Sequence, residues 1–168
     1  MSCQRDDICP ESTDTTPFLI LRFYENVDPF DPVAPQNLSI KDPEIEGYVT
    51  IRSGQDETIT YFRYSKDSLA IPLKTSADIT TFEFTVNTDN IPEEGEETSQ
   101  EQVENTDILT FTYGRNEEYI NRACAYKMNF TGLKVSHDIG SDGAWIQDIE
   151  VEQVNIEDQN NAHVSIFF

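Results

Sequence analysis

The chain has 168 residues and carries 32 acidic against 11 basic side chains, a net charge of -21 and a pI near 4.1. That length supports about one domain around a single core. The charge excludes a nucleic-acid ligand, whose affinity comes mainly from Lys and Arg displacing counterions, and it sets the chain as a whole against an anionic membrane surface. No stretch of 18 apolar residues occurs, so no helix long enough to cross a bilayer is encoded.

Residues 1–16 are polar, hold Cys3 and Cys9, and show no apolar periodicity, which is the composition of a flexible tether. Met1-Ser2-Cys3 has the form of a stub left where a signal peptide was removed or never included. Order is expected from Pro17 on. Residues 18–24, FLILRFY, are apolar on both faces and predict a central strand covered on both sides. Three prolines between 29 and 35 then remove backbone donors and predict a loop that crosses between sheets.

Residues 48–52 and 58–64 predict a hairpin closed through 53–57. Leu69, Ile71 and Leu73 alternate inward, and Pro72, which cannot donate to a ladder, assigns that strand to a sheet edge or a bulge. Residues 81–86 alternate cleanly, with Phe82, Phe84 and Val86 inward. Between 89 and 107 stand eight acidic residues and no basic one, a composition that predicts a mobile acidic loop.

Two long strands, 108–113 and 119–130, are expected next, joined through Gly114-Arg115-Asn116. In that arrangement Cys124 lies mid-strand, on one face with Ile120, Tyr126, Met128 and Phe130, as either a buried thiol or half of a bond to the N-terminal arm. Residues 145–156 resume as a strand with Asp148, Glu150 and Glu152 on one face. At the end, Ala162, Val164, Ile166 and Phe168 alternate with His163, Ser165 and Phe167, and this aromatic end is expected to be packed. About nine short strands with proline or glycine between them predict an all-β fold, a two-sheet antiparallel β-sandwich spanning 17–168; a lipocalin-like closed β-barrel is the alternative.

Cys3, Asp6-Asp7-Ile8-Cys9, Thr15-Thr16-Pro17 with Leu19-Ile20 and Arg22-Phe23-Tyr24, Arg122-Ala123-Cys124-Ala125-Tyr126-Lys127, and the closing Ala162-His163-Val164 with Ile166-Phe167-Phe168 form a set. Together they resemble an uncharacterised, domain-of-unknown-function family of small lipoproteins from Bacteroidetes-type Gram-negative bacteria. The resemblance implies lipidation at Cys3 and anchorage in the cell envelope, at the outer membrane, facing the periplasm or the exterior. It also implies that Cys9 and Cys124 recur together; with Cys3 taken by lipid, they are expected to form a disulfide in an oxidising compartment, which would place the first strand beside 119–130. The family commonly has glycine where this chain has Ala125.

The remaining constellations are weak. No cysteine pair has zinc-site spacing. His137 and His163 are the only histidines, no Gly-x-Ser-x-Gly occurs, and His163, alternating with core residues, fits a solvent-facing or internally satisfied histidine. Asp138, Ser141, Asp142 and Asp148 match no calcium-loop pattern and fit a polar turn. Tyr48, Tyr61, Tyr64 and Trp145 can form either a carbohydrate platform or core. The expectation is therefore a non-enzymatic binding or structural module with no catalytic residue, metal or cofactor. It would meet the membrane only through its lipid and have an envelope protein or a glycan as partner. A glycosidase-like envelope hydrolase using paired carboxylates is the alternative.

Overall fold

A computed structural model describes residues 8–10, 15–53, 56–89 and 103–168. Among them the fold is all-β: ten strands, no helix, and sheets that do not close into a barrel. The strands are β1 (Leu19–Tyr24), β2 (Ser39–Lys41), β3 (Thr50–Ser53), β4 (Glu57–Thr60), β5 (Ser68–Ile71), β6 (Ile79–Val86), β7 (Asn105–Asn121), β8 (Ala125–Ile139), β9 (Asp148–Val151) and β10 (Val164–Phe167). One sheet has the order β5-β1-β10-β9, a second β2-β6-β7-β8, and β3-β4 is a separate hairpin. All pairings are antiparallel except β1 with β10, which run parallel and bring the strands nearest the two ends of the chain together at the centre of the first sheet.

The period-2 pattern decides which side chains face inward. Leu19, Leu21 and Phe23 of β1, Leu69 and Ile71 of β5, and Val164 and Ile166 of β10 meet Phe82 and Phe84 of β6 and Leu109 and Phe111 of β7 in one buried cluster. As Pro72 requires, β5 is an edge strand. The proline-rich loop carries the chain from the first sheet to the second. On β1 the outer face is only half covered, with Ile20 and Tyr24 half-buried and Arg22 exposed; a central position in the sheet does not bring a covering layer.

The largest departure from the sequence reading is the central hairpin. Strand β7 runs straight through Gly114-Arg115-Asn116, and the turn falls at Arg122, Ala123 and Cys124. Gly114 sits opposite Thr131, where a Cβ would come within 2.7 Å of the Thr131 hydroxyl oxygen, so this glycine permits a close approach of two strands. The register shifts between Thr112 and Gly114 because Gly132, at φ +60°, and Leu133 on β8 both face Tyr113, a bulge with glycine in the left-handed position. Gly132 thus kinks β8 without ending it. Cys124 is consequently a half-buried turn residue, and its amide donates to Asn121 Oδ1 at 2.7 Å.

The acidic stretch is also shorter than expected at its far end. Strand β7 begins at Asn105, and Asp107 is fully buried; residues 90–102 lie outside the described residues. The strand expected over 145–156 is regular only at β9, after which Leu133 N–H donates to Val154 O at 2.8 Å and Ile156 exchanges backbone hydrogen bonds with Phe130. This stretch therefore passes from the first sheet to β8.

Candidate functional site

Strand β6 pairs with β7 only as far as Thr112. Beyond it Tyr113 N–H still donates to Asp78 O at 3.0 Å and Arg115 is paired with Asp78 at 2.7 Å. Strand β8 is nonetheless the only strand that pairs with this part of β7 among the described residues, and every residue from Gly114 to Tyr119 is exposed. The distal part of the β7–β8 hairpin is therefore an arm that outruns its sheet. At its end Tyr119 and Tyr126 pair edge to face at 5.3 Å, and they are 60% and 61% exposed.

The N-terminal segment is fastened to this arm. Cys9 and Cys124 form a disulfide, with α-carbons 4.7 Å apart and a sequence separation of 115. Farther along, Met128 N–H donates to the Thr16 hydroxyl at 2.9 Å. The expected bridge is present, but the expected neighbourhood of strands is not: β1 pairs with β5 and β10, whereas β8 lies in the other sheet. The polar residues before β1 make the connection. Cys3 lies outside the described residues.

A second polar feature went unseen in the sequence. Asp107 continues the inward alternation of Leu109, Phe111 and Tyr113 and so enters the core. Its Oδ2 accepts the Ile146 N–H at 3.0 Å and contacts His137 Nε2 at 2.7 Å. Nearby, Trp145 donates its indole N–H to Phe84 O at 2.9 Å. These bonds fix residues 145–146 against the second sheet. The cross-strand partner of His137, Leu109, and its same-face neighbours Val135 and Ile139 are aliphatic, so they bring no hydroxyl or thiol that an Asp–His pair could activate.

His163 is fully buried. Its Nδ1 accepts the Ile20 N–H at 2.9 Å and its Nε2 faces Asp158 O at 2.9 Å, which fixes the neutral Nε2–H tautomer. Burial lowers its pKa, against a smaller opposite pull from Asp158. It is an internally satisfied residue holding β1 to the chain before β10.

The carboxylates of Asp148, Glu150 and Glu152 stand exposed in a row on and just beyond β9. They border an open groove of about 530 Å³ floored by the stacked rings of Tyr24 and Phe167. Ser165 donates its hydroxyl hydrogen to Glu152 Oε1 at 2.9 Å. A glycosidase needs two carboxyl groups facing each other across the scissile bond, and these three share one side of one strand. Asp142 caps the start of β7, accepting the Thr106 N–H at 3.0 Å; among the described residues no group of three His, Cys, Asp or Glu side chains is placed to hold a metal.

The expected aromatic platform is dispersed. Tyr61 and Trp145 are buried, Tyr64 packs edge to face on Tyr61 at 5.0 Å, and Tyr61 OH bonds Ala70 O. Burial raises the Tyr61 pKa to about 12. Tyr48 instead packs on Phe62 at 4.7 Å and borders an apolar cavity of about 560 Å³ walled by Val49, Leu73 and Phe82. At this cavity Lys74 bonds Glu44 at 2.6 Å and lies 3.7 Å from Asp42; the Lys74 hydrogen bond holds the Glu44 carboxyl below its ordinary pKa.

The sequence profile described as "Family of unknown function (DUF6452)" matches residues 45–168. No curated protein and no solved structure matches the chain.

Proposed function

Because the chain belongs to DUF6452, a family of unknown function, we propose its role from its own chemistry: a cell-envelope lipoprotein, anchored to the outer membrane through a lipid on Cys3, whose β-sandwich is a non-enzymatic binding or structural module. The observation that carries this reading is the Cys9–Cys124 disulfide. A bond of this kind persists in an oxidising compartment such as the periplasm and is rare in the cytosol. It fastens the polar segment next to Cys3 directly onto the folded domain, where a tether would transmit load. The row of acids on one side of β9 and the internally satisfied His163 support the non-enzymatic part. An envelope protein or a glycan is the ligand class in keeping with it, and the -21 charge speaks against nucleic acid.

The test is to express the natural precursor in its host and measure the mass of the detergent-extracted protein. An acylated N-terminal Cys3 is expected; a mature chain with Cys3 unmodified overturns the anchor.

A further inference from the structure

We propose that the tip of the β7–β8 arm is a membrane-docking surface, with the Tyr119–Tyr126 pair and Ile8 resting among the lipid headgroups of the bilayer that holds the Cys3 lipid. The proposal rests on the lipoprotein reading and adds to it a defined contact and orientation.

Chain connectivity is the first ground. Six Cα steps join Cys3 to Cys9 and span at most about 21 Å when fully extended, and the Cys9 α-carbon lies 4.7 Å from that of Cys124. Without the disulfide the next tie between this segment and the arm is the single Thr16–Met128 hydrogen bond, seven residues farther along the chain. With the disulfide, the turn of the arm is the part of the fold nearest the lipid along the covalent path.

The second ground is the chemistry of that turn. Ile8, next to the bonded Cys9, is 78% exposed, and Tyr119 and Tyr126 offer an apolar body with a polar hydroxyl at well over half exposure. Tyrosine favours the bilayer interface because its ring and hydroxyl suit the two sides of that boundary.

Charge is the third. From Ile120 to Tyr126 the turn carries the exposed Arg122 and no acidic residue, in a chain of net charge -21, and Glu118 behind it on β7 is paired with Lys127 at 3.7 Å. Anionic headgroups repel the acidic rest of the chain more than they repel this turn, which favours the arm pointing to the bilayer and the sandwich away from it.

The test supplies the anchor chemically, so that it is independent of whether the host lipidates Cys3. With Cys9 and Cys124 bonded, Cys3 is the one free thiol of three cysteines and can be coupled to a maleimide lipid in vesicles of phosphatidylethanolamine, phosphatidylglycerol and brominated phosphatidylcholine. In Tyr126→Trp protein the new indole should shift to the blue and lose emission relative to vesicles without bromine, whereas Trp145 of the unsubstituted chain, buried in the sandwich, should not. Hydrogen exchange of the unsubstituted tethered protein should show slowed amides at 119–126. Overturning results are an indole at 126 that emits alike free and tethered, amides that exchange at the same rate, or the same changes in concentrated protein without vesicles, which would assign the tip to self-association. An unmodified Cys3 in the natural protein, with docking intact in vesicles, would refute the anchor and leave the surface standing.

Discussion

The Met128 amide donates to the Thr16 hydroxyl at 2.9 Å, seven residues along the chain from the Cys9–Cys124 bond. The N-terminal segment is thus held to β8 at two points before β1 begins, one covalent and one a single hydrogen bond. The bond closes a loop that includes β1 to β7.

Replacing both cysteines, Cys9→Ser with Cys124→Ser, should lower the unfolding free energy by about 4 to 5 kcal/mol, the loop-closure entropy of a cross-link spanning this much chain. Urea unfolding at fixed pH reads the change, and removing Thr16's contact alone, by Thr16→Val, should cost about 1 kcal/mol. Equal losses from the two variants would mean that the disulfide constrains little of the unfolded chain.

Ala125 adopts φ +56° at the start of β8, a left-handed conformation that costs an L-residue roughly 1 to 2 kcal/mol and glycine almost nothing. Ala125→Gly should therefore stabilise the protein by about 1 kcal/mol after the greater freedom of glycine in the unfolded chain is offset. A lower melting temperature in the variant would contradict the turn assignment.

Much of the fold was legible because burial imposes a period of two. Phe82, Phe84 and Val86 announced β6, and Pro72 placed β5 at an edge. The central hairpin misled because Gly114-Arg115-Asn116 has turn composition, while the true turn at Arg122-Ala123-Cys124 has neither glycine nor proline; its signals are Asn121, which caps it, and the tertiary register set by the Gly132 bulge. Composition groups Asp107 with the acidic loop, although it stands two residues before Leu109 on the same face. The parallel β1–β10 pair joins residues more than 140 apart, and no local pattern encodes it. Family resemblance pairs Cys9 with Cys124, and the structure shows that pairing at a turn instead of mid-strand.

Asp107→Ala should cost about 2 to 4 kcal/mol, since it leaves the buried Ile146 N–H without its acceptor and His137 without its partner. Asp107→Asn, which keeps the shape and one acceptor oxygen, should cost less. Trp145 sits beside this junction, so its emission should move with the loss; an alanine variant as stable as the parent would remove the role given to the carboxylate.

Protonating His163 at Nδ1 would set its new N–H against the Ile20 N–H. Its folded-state pKa is lowered from the ordinary 6.5, so the unfolded chain takes the proton first. The stability that depends on the neutral ring is fully present above about pH 6.5 and falls as the pH drops below it. Urea titrations at pH 7.5 and pH 5.5 should show a steeper decline for the parent than for His163→Gln; parallel declines would show that this histidine does not contribute to the pH dependence.

Non-reducing peptide mapping of protein recovered from the periplasm tests most directly the claim that the N-terminal arm is clamped to the β7–β8 turn in an oxidising compartment. One disulfide-linked peptide pair containing Cys9 and Cys124, separated by reduction, is expected; recovery of both residues as free thiols would show that the clamp does not form.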